Sequence, residues 1–233
     1  MVEAWQRRLD ELFALGALTG KTGSHELKRI TVITSCTNGK AISSPEALGR
    51  RDFLQGADWV AAREANLVQC PAEAIYTGQQ HQRLMAGVTS ARQAGIHVNV
   101  QILSAGYGLI SGVRRIAPYN VTFSGLSRRD IQAAGQALNV PGDFAAALAA
   151  PADLVLVLLG RDYLAACGLT SSVLEGITVP TVFVTGSREK LPPYSNGRVR
   201  VARTETADTR FFRAGLVSLK GAIAQHFLNR ACT

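Results

Sequence analysis

Four short apolar runs, each ending in small polar residues, constrain this chain more than any other feature. Arg29–Thr34 runs into Ser35-Cys36-Thr37-Asn38-Gly39-Lys40, and Val98–Ser104 into Ala105-Gly106-Tyr107-Gly108. Leu154–Leu159 runs into Gly160-Arg161-Asp162-Tyr163, and Thr181–Val184 into Thr185-Gly186-Ser187-Arg188. Helical patterns separate them at Ala57–Glu64, Gln79–Ala94, Arg128–Leu138 and Tyr163–Cys167. Apolar strands alternating with helices predict an α/β fold, a mostly parallel twisted sheet with helices on both faces. Ala74-Ile75-Tyr76 reads as a further short strand, and Val199–Thr204, which alternates polar and apolar residues, as an antiparallel edge.

The ends of the chain read as helices. Residues 3–18 place Trp5, Leu9, Leu12 and Phe13 on one stripe, and residues 19–24 break it, so residues 1–24 form an N-terminal helix and linker. Residues 25–233 then form a single α/β domain. It closes on a basic helix, Arg210–Leu228, with Phe211, Phe212, Leu216, Leu219, Ile223 and Phe227 inward. The longest apolar run, Leu154–Leu159, is far short of a membrane span, so no membrane partner is expected. The start of the chain lacks a charged-then-apolar leader pattern, which predicts a cytoplasmic protein. The four cysteines lie far apart with no C-x-x-C pair, so neither a zinc site nor a disulfide is expected.

The formal net charge is +8, and its surplus is uneven. Nine Lys and Arg fall between Arg188 and Arg230, against Glu189, Glu205 and Asp208. Such a cluster favours a polyanion, and nucleic acid is the commonest; Arg198, Arg200, Arg203, Arg210 and Arg213 are its candidate contacts. A basic enzyme whose arginines are solvated or hold a small phosphate is the competing reading.

Loops just past parallel strands are where open α/β sheets hold ligands. Gly106 and Gly108 permit positive φ and close backbone approach, and Tyr107 and Tyr119 are placed to stack on a base; two space-filling tyrosines in a tight turn is the plainer alternative. Ser35, Cys36, Thr37 and Lys40 can cradle a phosphate or a base edge, and Cys36 is either a nucleophile or a small buried residue. Tyr76-Thr77-Gly78 opens a helix whose Gln79 or Gln80 can read a base edge, with His81 on the helix surface or first turn. Asp162 is the carboxylate for acid–base or electrostatic work, or else a helix cap. No P-loop, dinucleotide fingerprint or G-x-S-x-G elbow is present, and no cofactor is implied.

The order Ala74-Ile75-Tyr76-Thr77-Gly78, then Leu103-Ser104-Ala105-Gly106-Tyr107-Gly108-Leu109, then Pro118-Tyr119 resembles the YaaA peroxide-stress family. Leu154–Tyr163 and the basic segment Arg203–Phe227 fall where that family has corresponding segments. The Ser35–Lys40 loop departs from the family's own version. It is closer to smaller YaaA-like domains and is faintly similar to the core loop of archaeosine synthase, which works on a deazaguanine base in tRNA. The resemblance spans roughly residues 29–228 and implies a strand-end cleft lined by Ser35, Cys36, Thr37, Lys40, Tyr76, Thr77, Gly78, Ser104, Gly106, Gly108, Pro118 and Tyr119. It implies links to DNA binding and stress response, and makes a nucleobase or nucleotide ligand an expectation. With Asp162 and Tyr107 as catalytic residues, N-glycosidic cleavage or base exchange on nucleic acid, DNA before RNA, is the first reading. A non-catalytic DNA-binding stress protein is the second, and a small-molecule transferase using a nucleotide the third. The oligomeric state is not legible.

Overall fold

The computed structural model describes residues 2–13, 27–186 and 189–232. Its centre is a six-stranded sheet built from β1 (Arg29–Ser35), β2 (His97–Ser104), β3 (Gly108–Ser111), β4 (Leu154–Val157), β5 (Thr181–Thr185) and β6 (Val199–Arg203). The order is β6-β5-β4-β1-β2-β3. All pairings are parallel except β2 with β3. The sequence expectation for Val199–Thr204 is therefore corrected: it is an edge strand, but parallel to β5. The chain leaving β5 returns to the amino end of the sheet before β6 begins, where Thr181 N–H donates to Arg198 O at 2.9 Å. The antiparallel strand is instead β3, formed because the glycine loop after β2 folds back as a hairpin with Ser104 opposite Gly108.

Both faces of the sheet are covered, which is why β4 reads as an unbroken apolar run. On one face lie α1 (Val2–Phe13), α2 (Gln79–Gln93) and α6 (Leu219–Arg230), packing Trp5, Leu84, Val88, Ile223 and Phe227 against Ile30, Val32 and Val182. On the other lie α3 (Arg128–Ala137), α4 (Val140–Ala149) and α5 (Arg161–Ala166), packing Ile131, Phe144 and Leu164 against Ile33, Val155 and Phe183. Helices α2 and α6 cross so closely that a Cβ on Gly221 would stand 2.1 Å from the Gln80 carbonyl oxygen, so only glycine fits there. Helix α4 is not evident in sequence, because Pro141 and Gly142 look like breakers. Proline in the first helical turn is in fact compatible with helix.

The expected C-terminal helix from Arg210 to Leu228 is two helices. Asp208–Phe212 stops at Arg213, whose φ is +46°, and α6 restarts at Leu219. Leu216, expected inward, is 63% exposed as a result. Ala74–Tyr76 is likewise not a strand: Ala72–Ile75 is one helical turn, and Tyr76 makes a lone bridge to Lys40. At the other end, residues 2–13 form the expected N-terminal helix, while the predicted continuation to residue 18 and the linker at 19–24 lie outside the described residues. Helix α1 docks on the C-terminal segments. The Trp5 indole N–H donates to Asp208, its ring meets Phe212 edge-on at 5.0 Å, and Arg230 pairs with Asp10. Among the described residues no helix is long and apolar enough to cross a membrane.

Candidate functional site

Strand β1 leads towards β2 on one side and has β4 on the other, so the carboxyl ends of β1 and β4 flank the point where the strand order reverses, the usual ligand position in an open α/β sheet. The Cys36 thiol, just past β1, lies 3.1 Å from the hydroxyl of Tyr163 on α5, just past β4. Ser35 is half-buried and still within the ladder, opposite Leu103. The next residues lock onto the Tyr76–Gly78 segment. Thr37 Oγ1 accepts from Gly78 N–H at 3.2 Å, Thr77 N–H donates to Gly39 O at 3.0 Å, and Ala41 N–H to Ile75 O at 2.7 Å. The two loops expected to cradle a ligand thus satisfy much of each other's hydrogen bonding.

Below them is a closed cluster of hydroxyls. Ser104 Oγ accepts from the N–H groups of Gly106 and Tyr107, both at 3.1 Å, and donates to the Tyr119 hydroxyl at 2.8 Å. Tyr119 shares a second hydrogen bond, 2.9 Å, with Tyr76. Lys40 Nζ sits 4.3 Å from the centre of the Tyr119 ring, a cation–π distance. Burial pushes the phenols of Tyr76, Tyr119 and Tyr163 well above their ordinary range, and the neighbouring Cys36 adds to this, so all three are neutral at physiological pH. Burial lowers the Lys40 ammonium from its usual value, with Cys36 acting the other way. Pro118 is buried beside the cluster and its carbonyl accepts from Leu48 N–H.

Tyr107 does not take the catalytic place expected of it. It is 9% exposed, its hydroxyl donates to Ala117 O at 3.3 Å, and its ring meets Phe53 and Tyr119 edge-on at 4.9 and 5.2 Å. Burial, reinforced by the Glu64 carboxylate, raises its phenol far above the usual value. Of its flanking glycines, Gly108 has the anticipated positive φ, +72°. Gly106 is required for another reason: a Cβ there would stand 2.7 Å from the Phe53 ring. His81, expected on the helix surface or in the first turn, lies in the first turn of α2 but is only 2% exposed, bonded through Nε2 to Glu73 O at 2.8 Å. Nε2 must carry the proton to donate to a carbonyl, and burial lowers the ring's pKa, so the imidazole is neutral.

An open concavity lies on the other face. A cleft of about 820 Å³ runs between α3, α5 and the segment 189–192 after β5. Leu126, Ile131, Leu164 and Leu191 supply apolar wall, and Arg128, Arg161, Asp162 and Lys190 supply charge. Asp162 is partly exposed into it, 3.3 Å from the Arg161 guanidinium. The far wall is pinned by Lys220, whose ammonium donates to Leu159 O at 2.7 Å and to Glu189 at 3.1 Å. Sequence reasoning missed Lys220, though a lysine among the buried positions of α6 was a visible signal. It also missed Tyr163 as a bridge between the two faces, and Arg128, Arg161 and Lys190, which carry no motif.

The five candidate nucleic-acid arginines divide between two ends of the molecule. Arg203 is the last residue of β6, and Arg210 and Arg213 are exposed in the segment that leads to α6, so these three share the cleft's end of the sheet. Arg198 and Arg200 lie at the amino half of β6, and Arg200 folds back onto the carbonyls of Gly197 and Val199 at 2.7 and 3.1 Å. The closing helix α6 is not a basic face, since Lys220 is turned inward and Arg230 is held by Asp10. All four cysteines are free thiols. Among the described residues no group of three His, Cys, Asp or Glu side chains is arranged to hold a metal.

These features define an α/β protein with a charged strand-end cleft on one side of its switch point and a sealed tyrosine–cysteine cluster on the other. The chain belongs to a family of unknown function, DUF6884, whose model matches residues 61–185. That span includes Tyr76, Ser104, Tyr107, Tyr119, Arg128, Asp162 and Tyr163, and leaves Cys36, Lys40 and the arginines of 198–213 outside. No curated protein matches the chain.

Proposed function

We propose that this protein acts on a nucleobase or nucleotide unit of a nucleic acid, DNA before RNA, held in the cleft beside Asp162. The observation that carries the reading is the convergence of Asp162, Arg128, Arg161 and Lys190 on an apolar-walled cleft of nucleotide size, about 820 Å³, whose other carboxylate, Glu189, is taken up by Lys220. Arg128, Arg161 and Lys190 suit a phosphate, and the leucine walls suit the face of a base. The Asp162 carboxylate, beside Arg161, is placed to stabilise positive charge developing at a sugar C1′ as its bond to the base nitrogen breaks. The base leaves with the bonding pair, and water or an incoming base supplies the new bond to C1′ with loss of a proton. Arg203, Arg210 and Arg213, on the same end of the sheet, serve the polyanion backbone.

A mass-spectrometric screen for free bases released from genomic DNA, bulk tRNA and nucleosides tests this. Release by the wild type that is lost in Asp162→Asn is the expected result. No release, together with salt-sensitive DNA binding that survives Asp162→Asn, would support the second reading, a non-catalytic DNA-binding protein of the YaaA type. The close Arg161–Asp162 pair favours that reading to the extent that it neutralises the cleft's carboxylate.

A further inference from the structure

The turn that restarts the chain before α6 is built unlike an ordinary surface turn. Gly215 to Ser218 closes with Ser218 N–H donating to Gly215 O at 2.9 Å, and the Ser218 hydroxyl donates to the same oxygen at 3.1 Å. Ser218 is itself 3% exposed, so the turn is anchored from below. The central positions of such turns favour Gly, Pro, Asn and Asp. Here they are Leu216 and Val217, with 63% and 80% of their surface in water. Neither packs into the core, and a rigid turn that holds two adjacent aliphatic side chains out of the surface has no role in the fold that we can identify.

The surroundings are cationic and polar. Beside the turn a groove of about 600 Å³ is lined by Gln79, Gln82, Arg83, Arg213 and Gln225, with no carboxylate among its lining residues. Arg213 holds a left-handed backbone, φ +46°, a conformation that costs a non-glycine residue free energy and that clusters at functional positions. The Arg83 guanidinium fixes it there by donating to Arg213 O at 3.1 Å. Two residues beyond the turn, Lys220 joins the end of β4 to Glu189 in the wall of the cleft. The aliphatic tip, the arginines and the cleft therefore belong to one end of the sheet.

We propose that Leu216 and Val217 form a wedge that enters a nucleic-acid duplex and unstacks a base step, while Arg83 and Arg213 hold the adjacent phosphates. Apolar side chains inserted between base steps, framed by cations on the backbone, are an established way to kink and open a duplex. A duplex rather than a protein partner is favoured by the cationic, carboxylate-free groove around the tip. The proposal rests on the reading of the cleft as a nucleobase site and extends it, because a base in a duplex reaches such a cleft only once it leaves the stack.

The test is 2-aminopurine fluorescence in a duplex DNA, read beside binding anisotropy across a salt series. Full-length protein is expected to raise the emission several-fold. Leu216→Ser with Val217→Ser should abolish the rise and keep the salt dependence of binding, and Leu216→Met with Val217→Ile should restore it. Binding without a rise in the wild type, or a rise undiminished in the serine pair, would overturn the wedge and leave the cleft reading standing. Absence of any duplex binding would overturn the wedge, and the free-base screen on tRNA and nucleosides would then decide the cleft reading by itself. A wild type that self-associates in sedimentation, with a monomeric serine pair and no rise, would assign the tip to a second copy of this chain and overturn the wedge.

Discussion

The two sides of the switch point are built on opposite principles. On one side Tyr76, Ser104, Tyr107 and Tyr119 form a finished structure in which each hydroxyl has a partner. On the other, Arg128, Arg161, Asp162 and Lys190 stand around an open cleft. Most residues conspicuous in the sequence are thus the ones already satisfied, and of those around the cleft only Asp162 was legible, from its place past a strand end. A hydroxyl cluster buried under two interlocked loops contributes rigidity, since a satisfied buried network costs free energy to disturb. A half-exposed carboxylate beside a guanidinium keeps its capacity for a ligand at little cost to stability.

Substitutions should separate the two sides by size of effect. Tyr119→Ala removes one of the largest fully buried side chains and is expected to cost about 3–5 kcal/mol in urea unfolding. A loss below about 1 kcal/mol would show that the cluster is not structural. Lys220→Met leaves Glu189 without its buried partner, and an expected loss of about 3 kcal/mol should be accompanied by altered hydrogen exchange in segment 189–192. Unchanged exchange there would separate Lys220 from the cleft wall.

Acid should act through the buried imidazole. His81 is held below its usual value near 6.5 by burial, so below that pH the unfolded chain takes up a proton that the folded chain does not. Stability is therefore fully present above about pH 6.5 and falls below it, by up to about 1.4 kcal/mol per pH unit for one proton. His81→Gln should flatten the slope between pH 6.5 and 5, and equal slopes in the two proteins would assign the titration elsewhere. Tyr163→Phe removes the hydroxyl at the Cys36 thiol and should cost about 1 kcal/mol, a smaller effect than Tyr119→Ala or Lys220→Met. Asp162→Asn should be smallest of all in stability, within about 0.5 kcal/mol, and a large loss would place it with the structural side.

How far the sequence spoke follows from the range of the interactions involved. Strands β1, β4 and β5 are legible because burial on both faces writes near-continuous apolar runs, β2 because Val98, Val100 and Ile102 alternate with more polar residues, and α2 and α3 because their periodicity is local. The direction of β6 is not local: it depends on residues 189–198 bringing the chain back to the amino end of the sheet, so its polar–apolar alternation fitted either direction. The break at Arg213 escaped because a non-glycine residue in the left-handed region has no sequence signature, although Gly215 nearby was a hint. For the site, strand-end position was readable, and it brought Cys36, Lys40, Tyr76, Ser104 and Tyr119 together as expected. Burial was not readable. Tyr107 differs from a stacking tyrosine only in having Phe53 and Glu64 around it, and both arrive from a segment more than forty residues upstream.

The most direct test of the division between the two sides is to map a bound nucleoside monophosphate by backbone chemical shifts. The account predicts perturbations at Arg128, Arg161, Asp162 and Lys190 that vanish in Arg161→Glu, with Ser104, Tyr107 and Tyr119 unmoved. Shifts centred on Cys36, Lys40 and Tyr119 instead, surviving Arg161→Glu, would contradict it and return the working site to the tyrosine side.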